Sequence, residues 1–174
     1  MSNVDPQFKA YIKKTIDLLG DKKPLDVQKK TAAKLRKAVS GLSRKQLSWN
    51  PAPGKWSIRQ IIAHLADTEM TYGYRLRRIL ASSGSVIEAY DQDAWAREER
   101  YQDHSVENDI GYFDSLRRMN LEFYKRLPKE GWQRFGLHVE RGEESIERIC
   151  LLLAGHDLNH LGQIEAIRKR LLQK

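Results

Sequence analysis

Apolar residues recur at three- and four-residue spacing along nearly the whole chain, and no stretch shows the sustained alternation of a half-buried strand. That pattern restricts the fold to packed amphipathic helices, with strands at most short. Phe8, Tyr11, Ile12, Ile16 and Leu19 open the series, Gly20, Asp21 and Pro24 interrupt it, and Leu25, Ala32, Leu35, Val39 and Leu42 resume it, which predicts one broken or kinked first helix. The segment from Ser48 to Lys55 contains two prolines and a glycine and reads as a loop. Ser57 followed three residues later by Gln60 is a capping box, and Trp56 and Ile61 stand where a hydrophobic staple would, so a second helix is expected over 58–81. Arg75, Arg77 and Arg78 in its final turns read as cations at the negative end of the helix dipole.

Residues 88–100 read as a short helix or an ordered crossover. Ser105 opens a third helix through Ile110, Phe113, Leu116, Met119, Phe123 and Leu127, stopped by Pro128. Residues 128–142 read as a loop long enough to cover something. The last helix is expected to start between Glu143 and Ser145 and to run to about Leu172. Four long amphipathic helices with one long crossover imply an all-α four-helix bundle, a single domain over residues 1–174.

The inward stripe of the last helix reads Ile146, Ile149, Leu153, His156, His160, Ile164, Ile167, Leu171. Two imidazoles thus occupy positions where every other member is aliphatic. Residues four apart on a helix face the same way, so both rings can bind one ion. The spacing alone is weak, because five histidines make ten pairs; the burial phase carries the argument. Unpaired buried imidazoles cost about 1–3 kcal/mol each, so a partner is expected. The third candidate ligand is His64, on the inward flank of the second helix with Ile61, Leu65, Thr68 and Tyr72. Asp67 or Asp157 could accept the far ring N–H of a ligand, and Gln163 could hold a bound water; an exposed or capping role is the alternative for each. His104, just before the third helix, reads as surface, and His138 faces either a pocket or solvent.

The stretch Trp56-Ser-Ile-Arg-Gln-Ile-Ile-Ala-His64-Leu-Ala-Asp67, followed by His156-Asp-Leu-Asn-His160-Leu-Gly-Gln163, resembles the DinB/YfiT-like superfamily. Gly136-Leu-His138-Val-Glu-Arg141-Gly142 is similar to the loop before the last helix in many members. The resemblance implies a four-helix bundle, often a homodimer, with a divalent metal such as zinc or nickel held by His64, His156 and His160. It also implies a choice of activities: thiol S-transfer or isomerisation with a low-molecular-weight thiol, metal-dependent hydrolysis, or a role not yet assigned. Three neutral imidazoles leave a divalent ion at least one open position, which a water or thiol can enter and there lose its proton near neutral pH. The expectation is therefore a metal-dependent enzyme transferring a low-molecular-weight thiol to a small electrophilic substrate. A metal-dependent hydrolase and a non-catalytic metal-binding stress or interaction protein are the rivals.

Composition narrows the remaining classes. The single cysteine, Cys150, can form neither an internal disulfide nor a CxxC site. The longest apolar runs fall far short of the ~20 residues of a membrane helix, and the N-terminus has no apolar signal core, so a cytoplasmic protein is expected. The net charge of +8 comes wholly from residues 1–50, where 12 Lys/Arg face 4 Asp/Glu. Those charges alternate with regular apolar positions as on a solvated helix face, and no nucleic-acid motif accompanies them. Neither a nucleic-acid nor a membrane partner is expected; the partner is a small molecule.

Overall fold

A computed structural model of the chain describes residues 6–173; of the positions read above, the Phe8 side chain lies outside the description. The helices are α1 (Pro6–Asp17), α2 (Pro24–Val39), α3 (Arg44–Leu47), α4 (Ile58–Ala81), α5 (Gln92–Glu98), α6 (Val106–Lys125) and α7 (Ile146–Leu172). Three short strands, β1 (Ser85–Ile87), β2 (Phe135–His138) and β3 (Gly142–Ser145), complete the regular structure together with 3-10 turns at 101–103 and 129–133.

The four bundle helices are α2, α4, α6 and α7. In the ring they form, α4 lies between α6 and α7, and α2 closes the opposite side between the same two. The broken first helix is in fact two separate helices. Pro24 occupies the first turn of α2, where its missing N–H costs nothing, and α1 lies outside the ring against α7. What allows this is Gly155: a Cβ there would stand 2.0 Å from the Thr15 carbonyl oxygen, so the α1 backbone rests directly on α7.

The capping box opens α4 as read: Gln60 N–H donates to the Ser57 hydroxyl over 3.3 Å and Ser57 N–H to Gln60 Oε1 over 3.0 Å. Ser105 and Ser145 cap α6 and α7 by accepting from the Asn108 and Arg148 backbone N–H groups, without the reciprocal bond. The segment 128–142 is more ordered than a covering loop. Its strand β2 pairs antiparallel with β3 and parallel with β1, in the order β1-β2-β3, so the two crossovers of the bundle are stitched into one small sheet. Residues 142–145 are accordingly strand, and α7 begins at Ile146.

The two largest apolar clusters of the core are separated by a polar layer. One contains Leu35, Ile58, Ile62, Ile110, Phe113 and Ile164; the other contains Leu76, Ile79, Tyr124, Ile146, Ile149 and Leu153. Between them sits Arg117, which contacts Glu69 at 2.8 Å and Asp157 at 2.5 Å; Thr31 donates to Asp157 at 2.7 Å and Asn120 to Glu69 at 2.8 Å. These residues come from all four bundle helices, and each is at least nine-tenths buried. The layer fixes the axial register of α4 against α7, since apolar contacts alone tolerate sliding while a satisfied charge cluster does not. It also corrects the reading of α6: Met119 is exposed and Leu116 half-buried, and the inward stripe passes instead through Arg117 and Asn120. Among the described residues, no helix is long and apolar enough to cross a membrane.

Candidate metal centre

With α4 and α7 in register, His64 faces His156 and His160. The Nε2 atoms of His64 and His156 are 3.1 Å apart and those of His156 and His160 are 3.0 Å apart, and one nitrogen from each ring lies within 4.8 Å of the others. The ring centres are 4.3 to 5.2 Å apart. Two nitrogens each about 2.0–2.1 Å from one ion, at angles between a right angle and the tetrahedral value, lie roughly 2.8–3.4 Å apart, so these two spacings fit a shared ion. Mutual hydrogen bonding does not account for it, because a neutral imidazole has one donor and one acceptor and three Nε2 atoms meet at one place.

Gln163 Oε1 accepts from His160 Nδ1 over 2.9 Å, which leaves the Nε2 lone pair pointing at the centre. The amide therefore touches the ring itself rather than standing off to hold a water. Asp67 and Asp157 are engaged elsewhere. The Tyr101 hydroxyl donates to Asp67, and Asp157 is held by Arg117 and Thr31, so neither carboxylate orients an imidazole. The Nδ1 atoms of His64 and His156 are buried without a hydrogen-bond partner among the described residues.

Burial keeps the three rings neutral. It lowers the pKa of His64 to about 3, helped by the nearby His160, and that of His160 to about 4; it also holds His156 well below the usual imidazole value. Neutral imidazole is the form that binds a cation.

The centre opens on a cavity of about 520 Å³ whose wall includes His64, His156, Thr68, Tyr72, Tyr90 and His138. Helix α1 supplies Tyr11, Ile12 and Thr15, and the β2–β3 turn supplies Glu140 and Arg141. His138 thus faces the pocket, not solvent, at 3 % exposure. His104 is not simply surface: its ring is half-buried, with Asp109 at 3.3 Å and the Glu99 carbonyl at 3.0 Å, and it belongs to the α5–α6 connection. Arg75, read from sequence as a dipole cation, is 4 % exposed and turned into the cavity wall. Its position seven residues beyond Thr68, on the same helix face, was the legible sign. Cys150 is buried against Gln28, and burial pushes its thiol up to about 12, so it is no nucleophile at neutral pH.

Comparison with known proteins agrees with this architecture. YfiT from Bacillus subtilis, whose structure is described as "a probable metal-dependent hydrolase with an unusual four-helix bundle topology", superposes with a TM-score of 0.81 at 23 % identity over 85 % of each chain. A protein of Oceanobacillus iheyensis named "Putative metal-dependent hydrolase" is 29 % identical over 136 residues, 78 % of each chain. One of the same name from Bacillus cereus (strain B4264) is 29 % identical over 139 residues, 79 % of each. The DinB superfamily model matches residues 29–164, which takes in the capping box of α4, both crossovers and all three histidines. The chain belongs to the DinB superfamily.

Proposed function

We propose that the protein is a metal-dependent enzyme in which His64, His156 and His160 hold a divalent ion, zinc or nickel, and which transfers a low-molecular-weight thiol to a small electrophilic substrate. The observation that carries the reading is the convergence of three Nε2 atoms beside a cavity of about 520 Å³. A divalent cation bound there supplies Lewis acidity, lowering the pKa of a thiol or water that enters its open position.

The chain's own groups do the remaining work. Gln163 orients His160, and α1 and the β2–β3 turn wall off the cavity. Thr68 Oγ1 lies 3.4 Å from His64 Nε2 and 3.3 Å from the Tyr90 hydroxyl, a pair able to pass a released proton away from the centre. The wall's carboxylates, Asp91 and Glu140, are poorly placed as general bases: Asp91 caps α5 and Glu140 is exposed. That favours a nucleophile acidic enough to need none, which a thiol is and water is less so. Hydrolysis is the second reading, supported by the names of the curated relatives.

Turnover of 1-chloro-2,4-dinitrobenzene and of p-nitrophenyl acetate, each with and without added thiol, separates the two. Turnover dependent on both thiol and metal supports transfer; ester turnover at the same rate without thiol rejects it in favour of hydrolysis. We further propose that two copies pair through the outer faces of α4 and α6, where Met70 and Tyr112 touch and Tyr74 and Met119 are also exposed. Sedimentation of the protein as a monomer at micromolar concentration would reject the pairing.

A further inference from the structure

Two nitrogens in the cavity wall carry hydrogens that no described residue accepts. Arg75 donates from Nη2 to the Glu88 carbonyl, and its guanidinium carbon lies 4.9 Å from the Tyr72 ring centre and 5.7 Å from that of Tyr90. Its Nη1 is buried with no hydrogen-bond partner. His138 accepts from the Glu140 backbone N–H at Nδ1 over 3.2 Å, which places the ring hydrogen on Nε2; that atom too is buried and unpartnered. The two residues are 4 % and 3 % exposed and line the same cavity as His64 and His156.

A buried donor left unpaired is costly, the more so on a cation. Among the described residues, no group of the wall bonds to either of these nitrogens. Arg141 takes both oxygens of Glu144, at 2.7 and 2.9 Å, and Asp91, which is exposed, receives the backbone N–H groups of Asp93 and Ala94 at Oδ1. Glu140 is exposed. What remains is one uncompensated positive charge, a second neutral donor and two flanking tyrosine rings.

We infer that Arg75 and His138 bind a carboxylate carried by the small substrate, at a distance from the group that reacts. This deepens the proposed function and takes its second anchor, the three-histidine centre, from that reading. A monoanion matches the single free charge, whereas a phosphate dianion would leave excess negative charge beside Glu140. Arg75 follows His64 by eleven residues, a helix rise of about 16 Å. The substrate class is therefore an elongated molecule with a carboxylate at one end and the thiol or electrophilic carbon at the other, its body lying along Tyr72 and Tyr90.

The test is isothermal titration of chelator-treated, metal-free protein with benzoate, benzyl alcohol and phenyl phosphate, repeated on Arg75→Gln and His138→Phe. The wild type is expected to bind benzoate about tenfold tighter than benzyl alcohol, and each variant to lose most of that preference. Equal affinity for benzoate and benzyl alcohol, tighter binding of phenyl phosphate than of benzoate, or full preference retained in either folded variant would overturn the inference. Should Arg75→Gln fail to fold, as judged by circular dichroism, His138→Phe decides alone. The titration needs no ion, so its failure leaves the metal reading standing; failure of zinc uptake by the wild type, measured separately, would remove the metal reading and leave the carboxylate site.

Discussion

Arg117 holds the Asp157 carboxylate through two hydrogen bonds, of 2.5 and 3.1 Å, one residue along the chain from His156. With Glu69 on its other side, the guanidinium ties α6 to both helices that carry the histidines. Removing it leaves two buried carboxylates uncompensated. Arg117→Ala is expected to destabilise the fold by about 3–5 kcal/mol in urea denaturation. Asp114→Ala, which breaks the partly exposed contact with Arg36, is expected to cost no more than about 1 kcal/mol. Similar losses in the two variants would refute the structural role given to the polar layer.

Gly155 is where α1 meets α7 backbone to backbone. Adding a methyl group must push Thr15 away, and with it the wall formed by Tyr11 and Ile12. Gly155→Ala is expected to lower stability by roughly 1–3 kcal/mol and to speed proteolytic cleavage ahead of α2. Unchanged proteolysis would contradict the close approach.

Much of the fold was legible in the sequence. Ser57 and Gln60 fixed the start of α4, and the stripe from Ile146 to Leu171 fixed the face of α7. The same periodicity misled in α6, where following Leu116 and Met119 shifted the stripe by one residue and hid Arg117 and Asn120, whose burial depends on partners from other helices. The sheet could not be read, because strands of three or four residues show too little alternation and β1 finds its partner β2 about fifty residues away. At the site, the three histidines were legible through their burial phase. Asp157 was one of two carboxylates that proximity in sequence offered to an imidazole, while helical phase turns it towards Arg117. Arg75 and Gly155 were overlooked, since an arginine near a helix end and a glycine within a helix each have commoner explanations.

The depressed pKa values of the buried histidines set the acid behaviour of the metal-free protein. The folded rings titrate near 3 to 4 for His64, His160 and His138, whereas the unfolded rings titrate near 6.5. Between those limits the unfolded state binds more protons, so stability is full above about pH 6.5 and is lost as pH falls towards the folded values. Thermal melts after chelation should show Tm dropping steadily from pH 7 to pH 5. A flat profile over that range would mean the rings are solvated, contrary to the structure.

Cys150 should behave as an inert core thiol. Burial raises its pKa to about 12, and its neighbours are Gln28 and the apolar cluster around Ile149. Aromatic disulfide reagents are expected to react with it only as fast as the protein unfolds, and Cys150→Ala to leave thiol-dependent turnover intact. Rapid labelling of the native protein would show that the thiol is accessible.

Whether three Nε2 atoms hold one ion is decided by elemental analysis of untagged protein together with zinc titration of the apo form. The wild type and His104→Ala should each bind one divalent ion per chain. His64→Ala, His156→Ala and His160→Ala should each lose tight binding while remaining helical. Stoichiometric uptake by any of those three variants, or none by the wild type, would show that the three histidines do not form a shared ion site.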